Sequence, residues 1–173
     1  MRGAMRSAIR AAILTVSDRS SRGERADASG PALAALIQAQ GWQVINTSIV
    51  PDDRSVIEGI LVQWCDAPGT DLILTTGGTG FAPSDITPEA TLAVIERGAP
   101  GLAEAMRAES LKVTAHAMLS RAVAGIRGCT LIVNLPGSPK AAVENLQTIL
   151  PVLPHAVELL REDPESEKGH GKV

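Results

Sequence analysis

The chain has 173 residues and a formal net charge of −3. That length suits one domain, and 45% hydrophobic against 20% charged residues excludes wholesale disorder and collagen. No apolar run approaches the ~20 residues of a membrane-spanning helix, and an acidic chain with only 2% aromatics carries neither the basic footprint nor the stacking platform that nucleic acid needs.

Arg2, Arg6 and Arg10 precede a continuous apolar run from Ala11 to Val16. The run is too short for the core of a signal peptide and ends in Ser17-Asp18, so it reads as a first strand buried on both faces, in a cytoplasmic protein. Residues 17–28 are polar and read as a loop. Gly30-Pro31 then opens a helix, with Pro31 suited to the first helical position and Leu33, Leu36 and Ile37 on one side. Gly41 ends it. Trp42 to Val50 is the second strand. Val56, Ile57, Ile60, Leu61 and Trp64 recur at helical spacing behind a capping box that starts at Ser55.

Asp71 to Thr75 is a third strand running into Thr76-Gly77-Gly78-Thr79-Gly80. Thr87 as N-cap and Pro88 as first helical residue begin the next helix, with Leu92 and Ile95 toward the core. The chain breaks at residues 98–101, and Leu102, Ala105 and Met106 suggest a further helix. Ala122 to Ile126 and Thr130 to Leu135 are the last strands, joined through Arg127-Gly128-Cys129 as a tight antiparallel hairpin. Pro136-Gly137-Ser138-Pro139 opens a helix, and another runs to about Leu160. Cys65 and Cys129 form no CxxC, exclude a disulfide framework and a zinc knuckle, and read as small core residues. Strands alternating with helices predict an α/β fold: a three-layer α/β/α sandwich on a mostly parallel sheet with one antiparallel strand. The expected organisation is an N-terminal extension over 1–8, one domain over 9–161 and a disordered tail over 162–173.

In open α/β sheets ligands bind beyond the carboxyl ends of the strands. The loops expected there start at Ser17-Asp18, Pro51-Asp52-Asp53, Thr76 and Pro136. Three glycines within Gly77 to Gly80 free backbone N–H groups for an anion nest, and a plain glycine-rich turn fits the spacing equally well. The run matches neither the P-loop nor the dinucleotide fingerprint. Asp85 beside a phosphate nest would repel the ligand unless a cation such as Mg²⁺ bridged them; otherwise it is a turn aspartate bonded to its own backbone. Asp52 and Asp53 read first as helix caps. A metal role for Asp52 requires it to converge with Asp85. Ser138 can cap a helix or bond an oxyanion, and Arg121, after Ser120, could fork a phosphate or sit in a surface ion pair.

These blocks resemble the MogA/MoaB family of molybdenum-cofactor biosynthesis. Thr75-Thr76-Gly77-Gly78-Thr79-Gly80 followed by Ser84-Asp85-Ile86-Thr87-Pro88-Glu89 carries the likeness, with Leu14 to Ser20, Ser29-Gly30-Pro31, Val50-Pro51-Asp52, Ser120 to Gly125 and Asn134 to Lys140 in the same order. The resemblance covers most of Ile9 to Leu160. It implies a homotrimer or hexamer that binds molybdopterin and, in its adenylyltransferase members, condenses it with ATP in a Mg²⁺-dependent reaction that releases pyrophosphate. It assigns Thr76, Gly77, Gly78, Thr79 and Gly80 to nucleotide phosphates and Asp52 and Asp85 to catalysis and Mg²⁺. Ser17, Asp18, Ser120, Arg121, Pro136, Gly137 and Ser138 are assigned to substrate. It also implies the molybdenum-inserting enzyme of the pathway as a partner. Ser84 stands where active members carry a cation, and the Ser120 to Gly125 block resembles the MoaB side. A MoaB-like protein that binds molybdopterin without adenylylating it is therefore the alternative.

Overall fold

The computed structural model describes residues 8–162. The expected N-terminal extension and C-terminal tail, apart from Ala8 and Glu162, lie outside the described residues. The strands are β1 (Arg10–Val16), β2 (Gln43–Val50), β3 (Leu72–Thr76), β4 (Arg97–Gly98), β5 (Ala124–Arg127) and β6 (Thr130–Leu135). The helices are α1 (Asp18–Ser21), α2 (Ser29–Ala39), α3 (Arg54–Asp66), α4 (Thr87–Val94), α5 (Pro100–Leu111), α6 (Pro139–Ile149) and α7 (Leu153–Leu160).

One six-stranded sheet has the order β2-β1-β3-β6-β5-β4. The pairs β1–β2, β1–β3 and β3–β6 are parallel, and β5 lies antiparallel to both β6 and β4. Only β5 therefore runs against the rest, as the short Gly128-Cys129 turn requires. Because the side-chain period of a strand is two, Ala11 and Ile13 point to one face and Ala12, Leu14 and Val16 to the other. Leu33 and Ile37 of α2, Met106 of α5, Leu146 of α6 and Val157 of α7 cover the first face. Ile57, Leu61 and Trp64 of α3 and Val94 of α4 cover the second. The three central strands are buried on both faces, which is why they read as unbroken apolar runs. Each fully buried Leu or Ile contributes roughly 1.5–3 kcal/mol.

Local chemistry corrects several sequence expectations. Residues 18–21 form a helical turn rather than loop, because the Ser17 hydroxyl accepts from the N–H of Ser20. The cap of α3 is Asp53, accepting from Val56 N–H, and not Ser55. Thr87 lies inside α4, and its hydroxyl donates to the carbonyl of Gly77 instead of capping the helix. Leu92 is exposed, so Ala90, Thr91 and Val94 form the buried side of α4. Residues 97–98 make the edge strand β4 where only a break was expected. Cys129 is exposed in its turn, against the expectation of a core residue. Cys65 is half-buried, and desolvation pushes its thiol up to about 11.

Candidate active site

Four parallel strands end on one edge of the sheet, and the strand order reverses between β1 and β3. A crevice opens at such a switch point. Here it is a cleft of about 500 Å³ bordered by Ser17, Asp52, Gly77, Gly78, Asp85 and Ser138, among others. The residues following β1, β2, β3 and β6 therefore meet in one place.

The glycine loop starts as β3 ends. Gly77 has φ +99°, and a Cβ there would stand 2.3 Å from the Val16 carbonyl oxygen. Gly78 has φ +68°, and its Cβ would stand 2.3 Å from the Thr87 hydroxyl. Close approach and left-handed backbone both demand glycine at these two positions. The Gly77 N–H is taken by the Leu135 carbonyl at 3.1 Å, so an anion nest here would rest on the amides from Gly78 onward.

The loops are tied to one another. Asp18 N–H donates to the Asp52 carboxylate at 3.0 Å, while Asp52 N–H donates to the Asp18 carboxylate at 2.9 Å. That reciprocal pair fixes the β1 loop on the β2 loop. Thr76 Oγ1 donates to the Pro136 carbonyl and Ser29 Oγ to the Gly137 carbonyl, each at 2.7 Å. Ser138 caps α6 by accepting from Ala141 N–H. Asp85 accepts from Ala82 N–H at 2.9 Å, so the turn bonding expected of it is present while it also faces the cleft.

Asp52 and Asp85 thus converge. Burial pushes the Asp52 carboxyl above its ordinary value, the Asp18 N–H opposes this, and the charges of Asp18 and Asp85 add to the rise. Neither Asp52 nor Asp85 has an ion-pair partner among the described residues. Two converging, unneutralised carboxylates beside an anion nest fit a hard divalent cation, which commonly takes one or two protein carboxylates and completes its shell with water and phosphate. No cluster of three or more His, Cys, Asp or Glu suited to a metal occurs among the described residues.

Not every expected residue borders the cleft. Thr79, Gly80, Ser120 and Pro136 line a neighbouring, mainly apolar pocket of about 290 Å³ on the far side of the glycine loop. The Arg121 guanidinium is already engaged: Nε donates to the Gly80 carbonyl, Nη2 to the Asp85 carbonyl, and Nη1 pairs with Glu89. Its donors hold protein, not open space for a phosphate. Sequence reasoning missed Arg25, Asp27 and Ser29, all at the cleft. Asp27 accepts from the N–H groups of Ser29 and Gly30 and from the Thr15 hydroxyl. An Asp two residues before a helix start is a capping signal that could have found it; nothing in the loop sequence marks Arg25.

A profile of the family described as "Probable molybdopterin binding domain" matches residues 12–155. The chain is 46% identical over 164 residues to gephyrin of Dictyostelium discoideum, covering 89% of this chain but only 23% of gephyrin. It is 44% identical over 150 residues to a molybdopterin adenylyltransferase of Helicobacter pylori, covering 86% of this chain and 85% of that protein. The crystal structure of the molybdopterin biosynthesis enzyme MoaB of Thermus thermophilus is 51% identical, with a TM-score of 0.85 over 90% of this chain and 98% of that one.

Proposed function

This chain belongs to the family of probable molybdopterin binding domains, and from that membership we propose that it is a molybdopterin adenylyltransferase of molybdenum-cofactor biosynthesis. The observation that carries the reading is the convergence of Asp52 and Asp85 beside the left-handed glycines Gly77 and Gly78 in one cleft. The similarity to proteins named molybdopterin adenylyltransferase, over most of both chains, supports the same activity.

The reaction joins a phosphate oxygen of molybdopterin to the α-phosphorus of ATP and breaks the bond from that phosphorus to the bridging oxygen of pyrophosphate. Such transfers need positioning and charge neutralisation more than a covalent catalyst. Gly78, at the cleft, would present its amide to a phosphate, while the Gly77 N–H holds the Leu135 carbonyl and anchors the loop. Ser138 and the first turn of α6 orient the second anion. The Asp18–Asp52 bonds tie the β1 loop to the β2 loop, and the Ser29–Gly137 bond ties the start of α2 to the loop after β6. A general base is not required, because the attacking phosphate is already ionised. Asp52 and Asp85 would hold Mg²⁺, which when bound offsets phosphate charge.

Incubation with molybdopterin and Mg²⁺-ATP tests the proposal: one pyrophosphate should appear per adenylylated pterin. Asp85→Asn should lower turnover by at least about 100-fold, the scale of losing an electrostatic group at the reacting phosphates, with an unchanged circular dichroism spectrum. Pterin binding without pyrophosphate would leave a carrier instead. We further propose a cytoplasmic homotrimer that hands its product to the molybdenum-inserting enzyme. The exposed apolar side chains of Phe81, Val113 and Met118 support self-association, and no described helix is long and apolar enough to cross a membrane.

A further inference from the structure

Residues 81–84 form an exposed turn between the glycine loop and α4. The turn is bonded internally, Asp85 N–H to the Ala82 carbonyl and Ala82 N–H to the Asp85 carboxylate, each at 2.9 Å. Its C-terminal base is tied to the glycine loop two residues beyond Asp85, where Thr87 N–H donates to the Gly78 carbonyl at 3.1 Å and Thr87 Oγ1 to the Gly77 carbonyl at 2.9 Å. Arg121 adds a hold on Asp85 itself from outside the turn. Its backbone N–H donates to the Thr79 carbonyl at 2.8 Å, its Nε to the Gly80 carbonyl at 2.8 Å and its Nη2 to the Asp85 carbonyl at 2.5 Å. Glu89, in the first turn of α4, pairs with the same guanidinium, and that bond holds its carboxyl below the usual glutamate value. One planar fork therefore fastens both ends of the turn and the helix that follows.

We propose that Arg121, braced by Glu89, is a positioning residue that fixes Asp85 in the cleft. The inference rests on the adenylyl-transfer reading for its kinetic consequences only. Both side chains are partly exposed, 33% for Arg121 and 40% for Glu89, so the pair adds little to global stability. Its effect is on placement, and a misplacement of about 1 Å at a reacting centre costs about 100-fold in rate. A lysine carries one point of charge and cannot span the same carbonyls as a rigid fork.

The test compares wild type, Arg121→Ala, Arg121→Lys and Glu89→Gln in steady-state kinetics, in amide hydrogen exchange, and in Mn²⁺ binding without nucleotide. For Arg121→Ala, kcat falls about 100-fold while KM for ATP stays near wild type. Exchange rises only in the segment 80–86, Mn²⁺ binding weakens, and the melting temperature moves by a few degrees. Arg121→Lys and Glu89→Gln lie between that variant and wild type, and they decide the matter should Arg121→Ala fail to fold. A raised KM for ATP with kcat and exchange unchanged would make Arg121 a substrate ligand and overturn the proposal. So would unaltered Mn²⁺ binding with unaltered exchange in all three variants. If wild type releases no pyrophosphate, the adenylyl-transfer reading fails alone, and exchange and Mn²⁺ binding still decide the clamp.

Discussion

Asp52 carries two burdens. It is partly desolvated, and it faces the charges of Asp18 and Asp85. Its raised pKa means that the folded chain binds the Asp52 proton more tightly than the unfolded chain does. That contribution favours folding at low pH and is lost as pH rises from the ordinary carboxylate range, about 3.9, through the raised value. Asn keeps an oxygen that can accept the Asp18 N–H. Asp52→Asn should therefore be at least as stable as wild type at neutral pH without divalent ions, while losing most of its turnover. Urea midpoints across pH check this; a difference between the two proteins that does not vary with pH would count against it. A functional charge that destabilises its own fold is a familiar pattern in active sites. Gly77 and Gly78 follow the same logic in backbone form, since the close contacts at Val16 and Thr87 admit no side chain.

At the scale of elements, the cleft depends on how β6 is tied to its neighbours. Asn134 is fully buried, and its amide donates to the hydroxyls of Thr75 on β3 and Thr91 on α4, each at 2.9 Å. Its side-chain oxygen accepts from Val123 N–H at 3.2 Å. The side chain thus joins two strands, a helix and the approach to β5 in a network with no unsatisfied buried side-chain atom among the described residues. Asn134→Ala would orphan the Val123 N–H and take away the donor that the Thr75 and Thr91 hydroxyls accept from. The expected cost is about 2–3 kcal/mol, read as a lower urea midpoint at unchanged slope. Elements with strong periodicity, such as α3 and the central strands, are legible in the residues themselves. Their ends are less so: Asp53 rather than Ser55 caps α3, and Thr87 turns its hydroxyl to Gly77. Caps are decided by which donor a side chain can reach, and Ser, Thr and Asp are chemically close at that task.

Across the whole molecule, the end of the sheet opposite the cleft is closed by charge. Asp71 is buried, and burial opposes its ionisation, yet hydrogen bonds from Arg161 and Arg10 outweigh that and hold its carboxyl below the ordinary value. These contacts join the start of β1 and the residue after α7 to the residue before β3, so they fasten both ends of the described chain to the centre of the sheet. A lowered pKa supplies stability that is fully present above the unfolded value and lost as pH falls through the folded one. Asp71→Asn should therefore destabilise at neutral pH by about 3 kcal/mol, the low end for breaking a buried ion pair because Arg10 is half-exposed. The deficit should shrink in acid. Thermal melts at neutral and acid pH check both parts, and a deficit that persists undiminished in acid would exclude the linkage.

The residues alone determined the alternation of strands and helices, the burial of the central strands and the single reversed strand, because periodicity and a tight turn are local properties. They also marked the glycine loop, since left-handed backbone leaves a compositional trace. Which of the acids meet was decided only by the tertiary structure: Asp52 and Asp85 lie on different loops, and strand order alone brings them to one crevice. The fate of Arg121 was decided there too. An arginine reads the same in a sequence whether its donors hold a phosphate or the carbonyls of its own chain, and only the geometry at Gly80, Asp85 and Glu89 distinguishes the two.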